Sequence, residues 1–333
     1  MNKCWIFLCI LFSLFCIFGT LLIGDLSCKE SFRGIILRFQ GNSYAWNPVL
    51  DERLPRLLIT FATGASLAVS GAIMQSLFHN PLASPSILGI SSGGSLLVTI
   101  VYIMGWHLSH PFSIPLAAIT GCLITLLIVY SLSLSQGEVY LNTLILTGIA
   151  ISTLLIAFQS MITYALRDHW HLIQILSEWQ SGSTLDKTWK HVHMQMPLTI
   201  AALLICWKYR YEMDILSLGS EEAANLGVDV KKIRAHLFFA VALLTGGSLA
   251  AVGNISFFGL IIPHLLRFIF GAKNHLLIPA CIFGGAIAFS ALDLILRFFN
   301  AQNYTIGNIS AIFGGLFFLI LLIKLQRKTV SII

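Results

Sequence analysis

RLPRLLITFATGASLAVSGAIMQSLFHNPLASPSILGISSGG, residues 53 to 94, is an apolar helical run closed by a polar, proline-broken turn. At 1.5 Å per residue, the part from Leu54 to Phe78 is long enough to cross a hydrocarbon core about 30 Å thick. Its two arginines, Arg53 and Arg56, stand together at one end, where a water interface is expected. Gly64, Ala68 and Ala72 recur every four residues, with Ser66 and Ser70 on another edge. A neighbouring helix backbone can approach such a stripe closely, which is how helices associate where lipid removes the hydrophobic drive. Ordinary helix packing accounts for these small residues taken alone.

Working outward, 57% of the 333 residues are hydrophobic and only 10% are charged, with a mean hydropathy of +0.86. Water cannot cover that much apolar surface in a globular fold, so the chain is a polytopic membrane protein and its fold class all-α. Apolar runs predict about ten spans: 4–24, 54–78, 86–105, 112–134, 141–166, 194–208, 236–252, 255–270, 276–299 and 306–323. The runs 194–208 and 255–270 are short for a crossing, which implies little tilt, extension into polar flanks, or broken helices lining a cavity.

Ten spans put both termini on one side, together with Lys3, Lys231, Lys232, Arg234, Lys324, Arg327 and Lys328, and that side is expected to be the cytoplasm. The bias is shallow. Eleven of the 20 basic residues fall inside and nine outside, Arg53, Arg56 and Arg297 among the latter. An outward basic surface is suited to docking an acidic partner.

The first run, with Lys3 ahead of it, has a cleaved signal peptide as its alternative, but it is long for one and no A-x-A-like site follows. Cys28 stands alone outside. Cys4, Cys9, Cys16, Cys122, Cys206 and Cys281 lie in or at the ends of apolar spans without a C-x-x-C pair, so neither a disulfide framework nor a metal site is expected.

The longest internal polar segment, KYRYEMDILSLGSEEAANLGVDVKKIR at 208–234, falls on the cytoplasmic side. Its centre reads as a short helix. Ser220 is placed to cap the amides of Glu222 and Ala223, Glu221 and Glu222 occupy the first turn, Ala224 follows, and Gly227 supplies the stop. Such a helix is shaped to press into a soluble partner, although a solvated loop is the plainer alternative.

Four motifs in order carry a family resemblance: the 53–94 stretch, LSLGSEEAANLGVDVKKIR at 216–234, GNISFFGLIIPHLLR at 253–267 and ALDLILR at 291–297. Over nearly its whole length the chain resembles the FecCD permeases, the membrane subunits of ATP-binding-cassette importers for iron-siderophore, haem and vitamin B12. The resemblance implies a type II ABC importer permease, a single transmembrane domain over 1–333 with a cytoplasmic loop at 208–234, in the bacterial inner membrane. It implies three kinds of partner: cytoplasmic ATPase subunits, a periplasmic substrate-binding protein and a second permease subunit, like or unlike. No nucleic acid, no enzymatic activity and no cofactor are expected. The chain has no G-x-x-x-x-G-K-[ST] phosphate loop, so ATP hydrolysis belongs to a separate polypeptide.

By the same resemblance, Ser220, Glu221, Glu222, Ala223, Ala224 and Gly227 form the coupling helix that seats in the ATPase. Arg53, Arg56 and Arg297 match outward arginines that pair with glutamates of the binding protein. The span directions independently bring Arg53 and Arg297 to one face. Asn80, Leu82, Leu141 and Asn142 correspond to the cytoplasmic gate, where leucines close a narrow path and asparagines bond across a dimer axis. Asn80-Pro81 also reads as a plain helix stop.

Three departures from the family pattern stand out: Ser84 where relatives often carry an acid, and Thr305 and Gly315 in YTIGNISAIFGG (304–315) where they carry prolines. Gly307 and Gly314 are expected to keep the close-packing positions, and His264 reads as a packing residue. The pairs His169/His171 and His191/His193 raise a metal or haem relay, but residues two apart do not share a helix face. Trp170, Trp179 and Trp189 read as interfacial belt residues. The cargo expected is a ferric siderophore, with haem or cobalamin as alternatives. A secondary transporter is the rival class, and it is disfavoured because Asp293, the one acid well inside a span, lies one turn from Arg297.

Overall fold

The computed structural model describes residues 17–21, 47–86, 88–110, 112–135, 138–139, 141–299, 301 and 304–330. Apart from two paired two-residue strands at Leu134–Ser135 and Glu138–Val139, every regular element is helical. A π-turn at Val49–Arg53 leads into α1 (Leu54–Leu77). There follow α2 (Ile90–Ile103), the short α3 (Trp106–Ser109), α4 (Ser113–Leu132), α5 (Leu141–Ala165), α6 (Trp170–Gln180) and α7 (Trp189–Lys208). Then come α8 (Arg210–Leu216), α9 (Ser220–Asn225), α10 (Val230–Val252), α11 (Phe258–Phe270), α12 (Asn274–Phe298) and α13 (Ile306–Val330).

Every expected span from 54–78 onward falls on one of these helices, and 4–24 lies outside the described residues except for a helical piece at 17–21. The signal-peptide alternative, Cys28 and the N-terminal cysteines also lie outside them. Among the described residues, five helices are long and apolar enough to cross a membrane by themselves, including α1 with its π-turn, α4, α10 and α12. The two short runs resolve differently. α7 extends N-terminally to Trp189 and reaches 20 residues, whereas α11 stays at 13 residues, about 20 Å, and is a half-length helix entered from the non-helical stretch 253–257.

The core is built around α1, flanked by α12, α10, α11 and α7. The small-residue stripe works as expected: a Cβ built on Gly64 would lie 2.2 Å from the Gly285 carbonyl oxygen of α12. Gly71, outside that stripe, is equally tight, its Cβ falling 1.6 Å from the Gly259 oxygen of α11. Ser66 Oγ lies 3.0 Å from Thr199 Oγ1 of α7, so the serine edge serves a third neighbour. α5 is the opposite case: only 6% of its most apolar stretch is buried.

α6 was not among the predicted elements. Its inward residues are Leu176 and Trp179, both buried, so Trp179 is a core residue and not a belt tryptophan, while Trp170 is exposed. Gly307 and Gly314 do keep close packing, against the backbone of Ser181 and Asn254 and against Phe257. His264 packs edge-on to Phe268 and Phe317 at ring separations of 5.1 and 6.0 Å.

Candidate functional site

Two opposite faces carry the candidate residues. At the end expected to be outward, Arg53, Arg56 and Arg297 come together as the span directions required, but they are enclosed, with 2, 7 and 6% exposure. This corrects the expectation of guanidinium groups standing in water. Arg56 Nη2 donates to Asp293 Oδ1 at 2.8 Å and its Nε to Oδ2 at 3.0 Å, a bidentate pair. Thr184 Oγ1 donates to the same carboxylate at 2.5 Å. Asp293 is therefore held bidentately by Arg56 from α1, with the Arg297 charge close by one turn along α12. Arg53 Nη1 donates to the Leu21 carbonyl at 2.8 Å and Arg297 Nη1 to the Thr20 carbonyl at 3.1 Å, tying this end to the first helical segment.

The loop between α6 and α7 closes over the pair and brings Lys187 beside it. Burial pushes the Lys187 ammonium down to about 8, with Asp186 opposing the shift and Arg56 adding to it. His191 and His193, one of the two histidine pairs on this side, have local partners. His191 Nδ1 accepts from the Thr188 amide at 3.3 Å at the start of α7, and His193 Nδ1 lies 2.7 Å from the Trp189 carbonyl.

On the other face, α1 stops at a turn built by Asn80. Its Oδ1 accepts from the Leu82 amide at 2.9 Å, and its carbonyl accepts from the Ala83 amide at 3.1 Å, so the side chain serves its own turn. Leu82 is half-buried. The Ser84 hydroxyl lies 3.1 Å from that of Ser86. Leu141 and Asn142 open α5, and their side chains lie outside the described residues.

The short helix α9 forms where the sequence placed it, with one correction. Gly219, not Ser220, is the N-cap, and the Ser220 hydroxyl is used instead by Arg234, whose Nη2 donates to it at 2.7 Å. The C-terminus is a Schellman turn. The Val228 amide bonds the Ala223 carbonyl at 3.0 Å and the Gly227 amide the Ala224 carbonyl at 2.9 Å, with Gly227 at φ +84°. Ala223 is fully buried and anchors the knob, while Glu221, Glu222, Ala224, Leu218 and Leu226 are exposed. Two carboxylates beside two bare leucines on a held protrusion make a docking shape.

Short helix on one face, arginine cluster on the other and a bundle of apolar helices between them define a multi-pass membrane permease. The chain belongs to the FecCD transport family, whose sequence profile matches residues 7–324, and it is an ABC importer permease of that family. It is 35% identical over 297 residues to the hemin transport system permease protein HmuU of Yersinia pestis, covering 86% of each chain. Similarity to the iron(3+)-hydroxamate import system permease protein FhuG of Bacillus subtilis is 32% over 318 residues, 92% of this chain and 91% of that one. It is 33% identical to the cobalamin import system permease protein BtuC of Halobacterium salinarum, over 81% of this chain and 72% of that one. A solved inward-facing conformation of a metal-chelate type ABC transporter superposes with a TM-score of 0.80 at 27% identity, covering 96% of this chain and 98% of that one.

Neither Asp293–Arg56 nor a second polar joint, around Asp214 and Asn274 on the α9 face, was foreseen. Their partners are far apart in sequence, and the nearest local signal, Arg297 four residues from Asp293, pointed elsewhere.

Proposed function

We propose that this chain is the permease subunit of a binding-protein-dependent importer in the bacterial inner membrane, carrying an iron chelate, with ferric siderophore as the cargo. The observation that carries the reading is α9: a six-residue helix stopped by a Schellman turn, seated by Ala223, and presenting Glu221 and Glu222 at the face opposite the arginines. Ser220, Glu221, Glu222, Ala223, Ala224 and Gly227 act as the coupling helix in a groove of a separate ATPase subunit. Leu218 and Leu226 supply apolar contact and the carboxylates set orientation.

At the other face the enclosed Arg53, Arg56 and Arg297 cluster lends positive potential to the surface where acidic lobes of a loaded periplasmic binding protein dock. The ion pair of Arg56 with Asp293 gives that cluster a fixed frame. α5, apolar yet hardly buried, is covered by a second permease subunit, and the path runs between the two. Asn80, Leu82, Leu141 and Asn142 close it at the cytoplasmic end. ATP binding and hydrolysis shift the equilibrium between inward- and outward-open arrangements, so no covalent step falls to this chain. Residues 1–333 act as one transmembrane domain and 208–234 as its cytoplasmic loop.

The relative named for iron(3+)-hydroxamate, matched over 92% of this chain, supports a siderophore. Haem is the second reading, favoured by the 35% identity to the hemin permease. Uptake into proteoliposomes, with ferric siderophore, haem and cobalamin each presented on a binding protein, separates them. Siderophore uptake alone is expected, and uptake of haem or cobalamin alone contradicts the assignment.

A further inference from the structure

α12 begins without a cap of its own. Its N-cap residue is Lys273, whose side chain makes no capping bond, and a cation at that position opposes the helix dipole. The acceptor comes instead from α8. Asp214 Oδ1 accepts from the Asn274 amide, its Oδ2 accepts from the His275 amide at 3.3 Å, and Oδ2 lies 2.5 Å from His275 Nδ1. Tyr211 stacks on the His275 ring with centroids 5.3 Å apart.

The same short helix also reaches α1. Asn274 Nδ2 donates to the Met213 carbonyl at 3.2 Å and to Ser76 Oγ, in the last turn of α1, at 2.9 Å. His79 Nε2, just past that turn, lies 3.2 Å from the Leu216 carbonyl. α8 thus grips the inner ends of α1 and α12 together.

These two helices are packed as one strut. Their backbones touch at Gly64 and Gly285, and their outer ends are joined by the Arg56–Asp293 pair, with Arg53 at the N-cap of α1 and Arg297 in the last turn of α12. The strut therefore starts at the helix that leads directly into α9 and finishes at the arginine cluster.

We propose that Asp214 is the positioning residue that carries movement of α9 into the α1–α12 pair, and so links the ATPase side to the outer face. This rests on the reading of α9 as the ATPase contact. A local serine or aspartate at position 273 would cap α12 equally well for folding. A cap borrowed from α8, unlike a local one, makes the start of α12 follow α8 through a carboxylate that holds two of its amides, alongside the Asn274–Met213 bond and the Tyr211–His275 stack.

That difference is testable in the assembled transporter. Asp214→Ala removes the cap and the carboxylate link together, whereas Asp214→Ala with Lys273→Ser restores a local cap and leaves the carboxylate link broken, with the Asn274–Met213 bond and the Tyr211–His275 stack in place in both. The readout is uptake per ATP hydrolysed by the folded, purified complex, so a lower yield does not enter. The double variant is expected to regain thermal stability and still transport at least tenfold less per ATP than the parent, and Asp214→Asn to show a partial loss of the same ratio. Wild-type uptake per ATP in the double variant would reduce Asp214 to a cap and overturn the proposal. Glu221→Lys with Glu222→Lys is run beside them. If that variant assembles and transports normally, the reading of α9 fails, whatever Asp214 does.

Discussion

The Asp293 carboxylate is 1% exposed, with Arg56 on one side and Thr184 on the other, so its charge depends on neighbours that water cannot replace. Removing one member of such a pair leaves an uncompensated buried charge. Arg56→Met or Asp293→Ala is expected to cost about 3–5 kcal/mol, and the double replacement much less than the sum. Thermal unfolding in detergent measures both. Lys187, nearby in the α6–α7 loop, has its ammonium lowered by burial from 10.5 to about 8. Between pH 8 and 10.5 the unfolded chain holds a proton that the folded chain has released, so the contribution of this group to stability rises with pH across that window and is flat below it. In the folded chain that proton leaves around pH 8, and the face carrying the arginine cluster then loses a positive charge. Affinity for an acidic binding protein is expected to fall from pH 7 to 9, and the part of the fall due to this lysine to vanish in Lys187→Met, as read by titration at fixed ionic strength.

Among the elements, close approach of α1 to its neighbours makes the strongest demand on sequence. A methyl group at Gly71 would lie 1.6 Å from a backbone oxygen, which nothing but helix displacement relieves, whereas Gly315 on α13 has open space around it. Gly71→Ala is expected to destabilise by about 1–3 kcal/mol or more, and Gly315→Ala to be neutral or slightly stabilising. Gly227→Ala meets no atom but must hold φ +84°, which costs about 1–2 kcal/mol and loosens the stop of α9. α1 was legible because length, apolarity and a four-residue repeat of small side chains all point the same way. α9 was legible in position because Gly227 and two acidic residues flank its turns. Its cap was misassigned because the Ser220 hydroxyl had a better partner, Arg234, fourteen residues away. α6 escaped because its tryptophans suit an interface as well as a core, and only the fold decides that Trp179 turns inward. Asp214 carries no local mark at all: it caps a helix sixty residues downstream, and no spacing rule reaches that far.

Over the whole molecule, the arginine cluster and α9 lie at opposite ends of a bundle whose α5 stays uncovered, an arrangement suited to a subunit docked from both faces and paired through a third. The contrast with an ion-coupled carrier is sharp at Asp293. An acid held bidentately by Arg56 and hydrogen-bonded by Thr184 is built as a structural pair, with its acceptor positions occupied inside the bundle. The most direct test is cargo uptake into proteoliposomes containing this chain, its ATPase subunits and a loaded binding protein, with ATP inside and the proton gradient collapsed. Uptake that persists under those conditions and is lost with Glu221→Lys and Glu222→Lys is the predicted result. Uptake that ignores ATP and follows an imposed proton gradient would contradict it and return Asp293 to the centre of the mechanism.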